Sequence, residues 1–189
     1  MSTPCPATLP AIVNGVNVTA LMDTIQAVQR NPEIAKFNFR ARNIWMSGDR
    51  NRTTIKDFTG AGAEHRTGVQ GFMADTSEPE VLLGHDTAPN PVEWLLHALI
   101  ACMTTTTAYH AAATGIEIKA IESDLDGDLD LRGFLGLSLD VPKGYSAIRV
   151  RMRVKTDASA EAIKALTGMS PVFEMVSKSV PVAVSVETY

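Results

Sequence analysis

Cysteine is scarce in this chain, with only Cys5 and Cys102 among 189 residues. That scarcity excludes a disulfide-stapled secreted scaffold and a multi-cysteine zinc or iron–sulfur centre. Charge of one sign is also scarce. The formal net charge is −4, the pI is near 5.5, and there is no long Lys/Arg run of the kind a nucleic-acid surface needs. Long hydrophobic runs are missing too. The longest, from Val92 to Met103, is interrupted by Glu93 and His97 and runs into four threonines, too short and too polar to span a bilayer. The opening MSTPCPATLP has no basic n-region and no apolar h-region, so it does not read as a secretory signal. The expectation is a cytoplasmic protein with reduced thiols, acting on neither membrane nor nucleic acid. What is present is ordinary: 45% hydrophobic and 20% charged residues. That excludes disorder, collagen and coiled coil, and suits one core or one domain plus an extension.

Periodicity divides the chain at about residue 35. In residues 1–35, Leu21, Ile25 and Val28 at i, i+4, i+7 mark one stripe of a short amphipathic helix, stopped by Asn31-Pro32. This reads as an N-terminal helical extension that docks on a larger domain spanning 36–189. From Phe37 the period becomes two, and it slips between Ala41 and Ile44, which predicts a strand with a bulge. Ser47 to Asn51 reads as a turn, with weaker strands near 53–58 and 67–74 completing an antiparallel meander. Asn90-Pro91-Val92-Glu93 announces a long helix: Asn90 caps, Pro91 fits the first position and Glu93 completes a capping box. Gly115 stops that helix, about 35 Å on at 1.5 Å per residue. Strand patterns return as leucines alternating with Asp124, Asp126, Asp128 and Asp130. A second run, Ile148 to Val154, alternates with Arg149, Arg151 and Arg153. Opposite charges on these faces pair if the two strands are neighbours. Asp157 is read as the cap of a short helix ending at Gly168, Ser170-Pro171 as the start of another, and 181–187 as a closing strand. Strands, long helix, strands, two short helices and a strand make an α+β fold.

Most chemical motifs fail on spacing. The aspartate run at 124–130 would place Leu129 and Leu135 where a calcium loop needs glycine and glutamate. The histidines at 65, 85, 97 and 110 show no metal spacing, and no metal or cofactor is expected. His97 and Cys102 are about 140° apart on a helix, so they form no local nucleophile–base pair. Gly60-Ala61-Gly62 lacks the following helix of a phosphate cradle. Cys102, read from spacing alone, is a small buried hydrophobe. It lies about eleven residues past the helix start, beyond the reach of the N-terminal dipole. An activated thiolate there needs a cation from elsewhere, for which Arg50 or Arg52 on the hairpin turn is a candidate.

The stretch Pro89-Asn90-Pro91-Val92-Glu93-Trp94-Leu95-Leu96-His97-Ala98-Leu99-Ile100-Ala101-Cys102 resembles the central-helix motif of the OsmC/Ohr family. Gly127 to Gly133 resembles its post-helix strand, Ser170-Pro171-Val172 falls where the family commonly has Cys-Pro-Val, and Pro181-Val182 resembles its closing strand. The similarity covers about residues 37–189. It implies an OsmC-like fold of antiparallel sheets around a long central helix, an intertwined homodimer and a site at the subunit interface. In peroxidase members a central-helix cysteine attacks an organic hydroperoxide, and a second cysteine resolves the sulfenic acid as a disulfide. An arginine and a glutamate position the thiolate. By resemblance Cys102 matches the reactive cysteine and Arg50 the arginine. The resolving position holds Ser170. The position of the family's glutamate, directly after the motif proline, holds Val92, and Glu93 lies about 180° from Cys102 on the helix.

The leading expectation is a one-cysteine, thiol-dependent organic hydroperoxide reductase in oxidative-stress defence, with an external thiol as reductant. A second reading is a non-peroxidatic protein that binds a small lipophilic or electrophilic ligand at the dimer interface. There Cys102 is an inert wall, with His97 and Tyr109 as polar contacts. A third pairs Cys5 with Cys102 as a redox switch.

Overall fold

The computed structural model describes residues 11–189; Cys5, and with it the Cys5–Cys102 pairing, lies outside the described residues. In chain order the elements are β1 (Ile12–Val13), β2 (Val16–Asn17), α1 (Val18–Arg30), β3 (Asn38–Ser47), β4 (Arg50–Gly60), β5 (Ala63–His65), β6 (Phe72–Thr76), α2 (Pro91–Ala113), β7 (Ile118–Leu129), α3 (Leu131–Phe134), β8 (Tyr145–Thr156), α4 (Ala160–Thr167), α5 (Pro171–Ser177) and β9 (Val182–Thr188). They form two compact units. One holds the described residues up to Leu21 together with Leu96–Tyr189, and the other is Met22–Leu95.

In the unit of Met22–Leu95, β3 and β4 form an antiparallel hairpin, and β5 and β6 both pair with β4. The bulge expected between Ala41 and Ile44 is not there: Ala41 to Trp45 pairs with β4 without a slip, and the register breaks on either side of it, at Phe39/Ala41 and at Trp45/Ser47. In the first the extra residue is on β4, and in the second it is on β3, so the two offsets compensate. Ala61-Gly62, both with positive φ, form the tight turn into β5, which explains the glycines there without any phosphate site. Aromatic rings gather at one end of this sheet: Phe39 and Phe58 lie 5.2 Å apart, His65 stacks on Phe58 at 4.7 Å, and Arg66 lies over Phe58 at 4.8 Å.

The other unit is built on the sheet β7-β8-β9. Its register sets Asp126 opposite Arg149, Asp124 opposite Arg151 and Glu122 opposite Arg153, the charge match expected if these strands were neighbours. Arg149 binds both Asp126 and Asp128, and Arg153 binds Glu122. On the opposite face Ile148, Val150, Met152 and Val154 are buried, with Leu99 and Met103 of α2, Ile163 of α4 and Val176 of α5 in the same core. Strand β9 runs parallel to β8, where an all-antiparallel arrangement was expected. The chain between them contains two helices, the length of connection that a parallel pair requires.

Asn90 and Glu93 form the reciprocal capping box, Asn90 N donating to Glu93 Oε2 at 2.8 Å and Glu93 N to Asn90 Oδ1 at 2.9 Å. The cap of α4 is Ser159 rather than Asp157, and β7 ends at Leu129, so the 127–133 segment is only partly strand. Asp130 instead caps α3 and pairs with Arg132, which holds its carboxyl low, at about 2. Before α1 lies an unexpected hairpin turning on Asn14-Gly15, both at positive φ. Asn14 ties it to the end of α2 and the start of β7. Its Nδ2 donates to Ile116 O at 3.0 Å, and its Oδ1 accepts from Ile118 N at 2.7 Å. Val13 and Val18 pack against Ala112.

Candidate functional site

Cys102 is a free, half-buried thiol on α2. The buried stripe of that helix, Leu99, Met103, Thr107 and Ala111, recurs every fourth residue and is seated on the core. Thr107 donates to Met103 O at 2.8 Å and lies 3.0 Å from the hydroxyl of Thr167 in α4. Ala98, Ala101 and Thr105 are exposed, and Tyr109 is 49% exposed. Cys102 lies on the seam between these faces. A fully buried small hydrophobe, as spacing alone would have it, is not what the chain presents. Tyr109 is seven residues on and about 20° around the helix, on the same side as Cys102.

Ser170, at the position of the family's second cysteine, is fully buried. Its Oγ accepts from Phe173 N at 3.2 Å as the cap of α5, the role expected of a serine there. A hydroxyl in this position can cap but cannot close a disulfide.

The structure distinguishes the two candidate arginines. Arg52 is committed to Asp75 in a bidentate pair, Nε to Oδ1 at 2.6 Å and Nη2 to Oδ2 at 2.7 Å. This pairing raises the Arg52 pKa and lowers that of Asp75. The Arg50 side chain makes no hydrogen bond or salt bridge to another described residue, although its charge helps to lower the Asp75 pKa, and Arg50 lines a small cavity with Asn51, Asp75, Thr76 and Thr87.

One residue beside Arg50 escaped sequence reasoning. Asp49 lies in the turn after Gly48, and its side chain is almost wholly buried. Its Oδ2 accepts from Ser77 Oγ at 2.6 Å, Glu78 N at 3.0 Å and His85 N at 3.2 Å, and its Oδ1 accepts from His85 Nδ1 at 2.8 Å. These bonds, led by that from Ser77, hold its carboxyl far below the usual range. They clasp the β3–β4 turn to the segment entering α2. Gly84 closes that segment, because a Cβ there would lie 1.9 Å from Glu78 O. Burial pushes the Glu78 carboxyl up, and repulsion from Asp49 and Glu93 adds to it. No signal in the sequence links Asp49 to partners 28–36 positions away.

The clasp has a pH signature. A carboxyl whose folded pKa lies below its unfolded value stabilises the fold above the unfolded value, about 4, and that stability is lost as pH falls through the folded value. Acid titration followed by circular dichroism is expected to show wild type losing structure below about pH 4. Asp49→Asn should be less stable at neutral pH and show a flatter acid limb. Superposable acid limbs would remove Asp49 from this role.

Among the described residues, no group of histidine, cysteine and carboxylate side chains could hold a metal ion, and no helix is long and apolar enough to cross a membrane. The model of the family described as OsmC-like protein matches residues 84–185, over half of the chain and spanning α2, Cys102 and Ser170. The chain belongs to the OsmC-like protein family. That match is narrower than the 37–189 over which the motifs resemble the family. Solved structures extend the likeness as fold. An OsmC-like protein from Mycoplasma pneumoniae is 14% identical, with a TM-score of 0.61 over 80% of this chain and 96% of that one. An OsmC-like protein of unknown function from Vibrio cholerae is 13% identical, with a TM-score of 0.53 over 80% and 99%. An organic hydroperoxide resistance protein OsmC from Legionella pneumophila is 15% identical, with a TM-score of 0.52 over 79% and 96%. At these identities the OsmC-like α+β fold is what is shared. No curated protein matches the chain.

Proposed function

We propose that this OsmC-like protein is a one-cysteine, thiol-dependent organic hydroperoxide reductase, a redox protein of peroxide defence in the cytoplasm. The observation that carries the reading is Cys102: a free thiol, half-buried at the edge of an open helix face, at the reactive position of the family motif. The Cys102 thiolate attacks the terminal oxygen of the hydroperoxide. The O–O bond breaks, the alkoxide leaves and takes a proton to become the alcohol, and Cys102 becomes a sulfenic acid. One external thiol then forms a mixed disulfide with release of water, and a second attacks that disulfide, which returns Cys102 as the thiol and releases the two external thiols as a disulfide. Arg50 is the cation we assign to the thiolate, because Arg52 is already paired with Asp75.

The same proposal includes a homodimer. All ten residues of β3 are exposed in the single chain, Phe39 at 69% and Trp45 at 71%, apolar surface of the kind a second copy covers. A non-peroxidatic reading, with a lipophilic ligand on the open α2 face beside Tyr109, draws on the same exposure. Intact mass after one equivalent of an organic hydroperoxide tests the choice. The expected product carries one added oxygen, about 16 Da, on Cys102. An unmodified thiol with peroxide remaining in solution would overturn the peroxidase reading and favour the ligand-binding one.

A further inference from the structure

An open groove of about 410 Å3 lies over one face of the β3–β4 hairpin, within the unit of Met22–Leu95. That volume is in the range of small-molecule sites. The register break at Phe39/Ala41 builds it. Phe58 pairs with Phe39 and Ile55 with Ala41, so the two residues between them on β4, Lys56 and Asp57, both stand opposite Arg40 and share its face. A bulge re-aims side chains in this way. Alternation along β3 adds Arg42 and Ile44 to that face, and Thr54 pairs directly with Arg42. All six residues line the groove. Phe39 and Trp45, the surface assigned above to a second copy, lie on the opposite face, so that copy leaves the groove open.

Three cations and one carboxylate line the groove, a net charge of plus two; Glu64, outside it, pairs with Arg40 and reduces this to plus one. Arg40 is further tied down by its Nε, which donates to Asp57 O at 3.3 Å. Lys56 Nζ lies 3.9 Å from Asp57 Oδ1, close enough to offset its charge and too far for a hydrogen bond. Arg42 has no hydrogen bond or salt bridge to another described residue. The Thr54 hydroxyl has no such partner either, and solvent reaches it. The groove therefore gathers open donors from Arg42, Thr54 and Lys56 around one uncompensated positive charge.

We infer that this groove binds an amphiphilic organic carboxylate. Two coplanar oxygens match the fork of the Arg42 guanidinium, with Thr54 and Lys56 as flanking donors. A single negative charge cancels the one left over, whereas a phosphate dianion exceeds it and meets the Asp57 carboxylate. Ile44, 54% exposed, stands two residues along the same face, about 7 Å away at the rise of a strand. It gives the hydrocarbon body of the ligand an apolar support. Head and tail are thus recognised at separate points of one strand. Neither Cys102 nor Arg50 takes part, so failure of the thiol chemistry and failure of this site are independent.

The test is titration of the full chain with hexanoate at low salt, followed by the backbone 15N–1H signals of Ala41, Thr54 and Lys56. Saturable shifts are expected in wild type. Affinity should fall about 10-fold in Arg42→Gln, the loss of a charge-assisted pair, and about 3-fold in Ile44→Ser, the loss of part of the apolar support. Acetate, the head without the tail, should bind more weakly than hexanoate and be indifferent to Ile44→Ser. Hexanamide, which has the same shape without the charge, should leave the signals in place. Absence of saturation, unchanged hexanoate affinity in either variant, acetate or hexanamide binding as tightly as hexanoate, or inorganic phosphate binding more tightly would each overturn the assignment.

Discussion

Cys102→Ser eliminates consumption of organic hydroperoxide in the presence of excess thiol, lowering the rate by about 10³-fold or more, the scale on which removal of a catalytic nucleophile acts. Serine keeps the volume and the helix but lacks a nucleophile that is anionic near neutral pH, so the O–O bond has no attacking atom. The measurement is peroxide loss against time for the two chains at equal concentration, and equal rates would remove Cys102 from the mechanism. Wild type carries a second signature. Ser170 fills the resolving position and caps α5 through its hydroxyl, so no sulfur stands there to capture the sulfenic acid. Excess hydroperoxide without thiol should therefore advance Cys102 to the sulfinic acid, a gain of about 32 Da. Loss of two hydrogens would instead reveal a disulfide, for which Cys5 is the one other thiol in the chain.

The parts of this fold that were legible in advance are those whose partners lie close in sequence or repeat with a fixed period. The capping box at Asn90 and Glu93 spans three residues, and the facing charges of β7 and β8 follow from period-two alternation. Ser170 could be read as a cap because Pro171 follows it. Where two residues could cap the same helix, Asp157 and Ser159, local chemistry alone did not choose, and the hydrogen bond from Ala162 N goes to Ser159. Long-range pairings were not legible. The parallel approach of β9 to β8 depends on how two helices return the chain. Asn14 meets residues about a hundred positions away, and the Asp49 clasp reaches across the whole β4–β6 meander. The candidate site divides in the same way: Cys102 was readable from a local motif, whereas the distinction between Arg50 and Arg52 required Asp75, a residue no local pattern connects to them.

Leu99→Ala destabilises the unit that carries Cys102 by about 3–5 kcal/mol, the upper range for a leucine truncated in a closed core. Leu99 is fully buried and packs in one cluster with Met103, Ile148, Val150, Met152, Val154 and Ile163. Those neighbours come from one helix, one central strand and a second helix, so no single side chain is placed to fill the space left behind. The lost methyl groups and the residual cavity therefore add. Leu99→Met preserves volume and should cost less than about 1.5 kcal/mol, which separates packing from any change in the backbone of α2. Urea unfolding at fixed protein concentration is the measurement, with the midpoint expected to fall in Leu99→Ala while the slope is unchanged. If the two variants unfold together near wild type, the seat of α2 on the β8 face does not carry the stability assigned to it. The open edge of the same helix, where Cys102 lies, should tolerate Ala101→Ser far better, because an exposed position leaves no cavity to pay for.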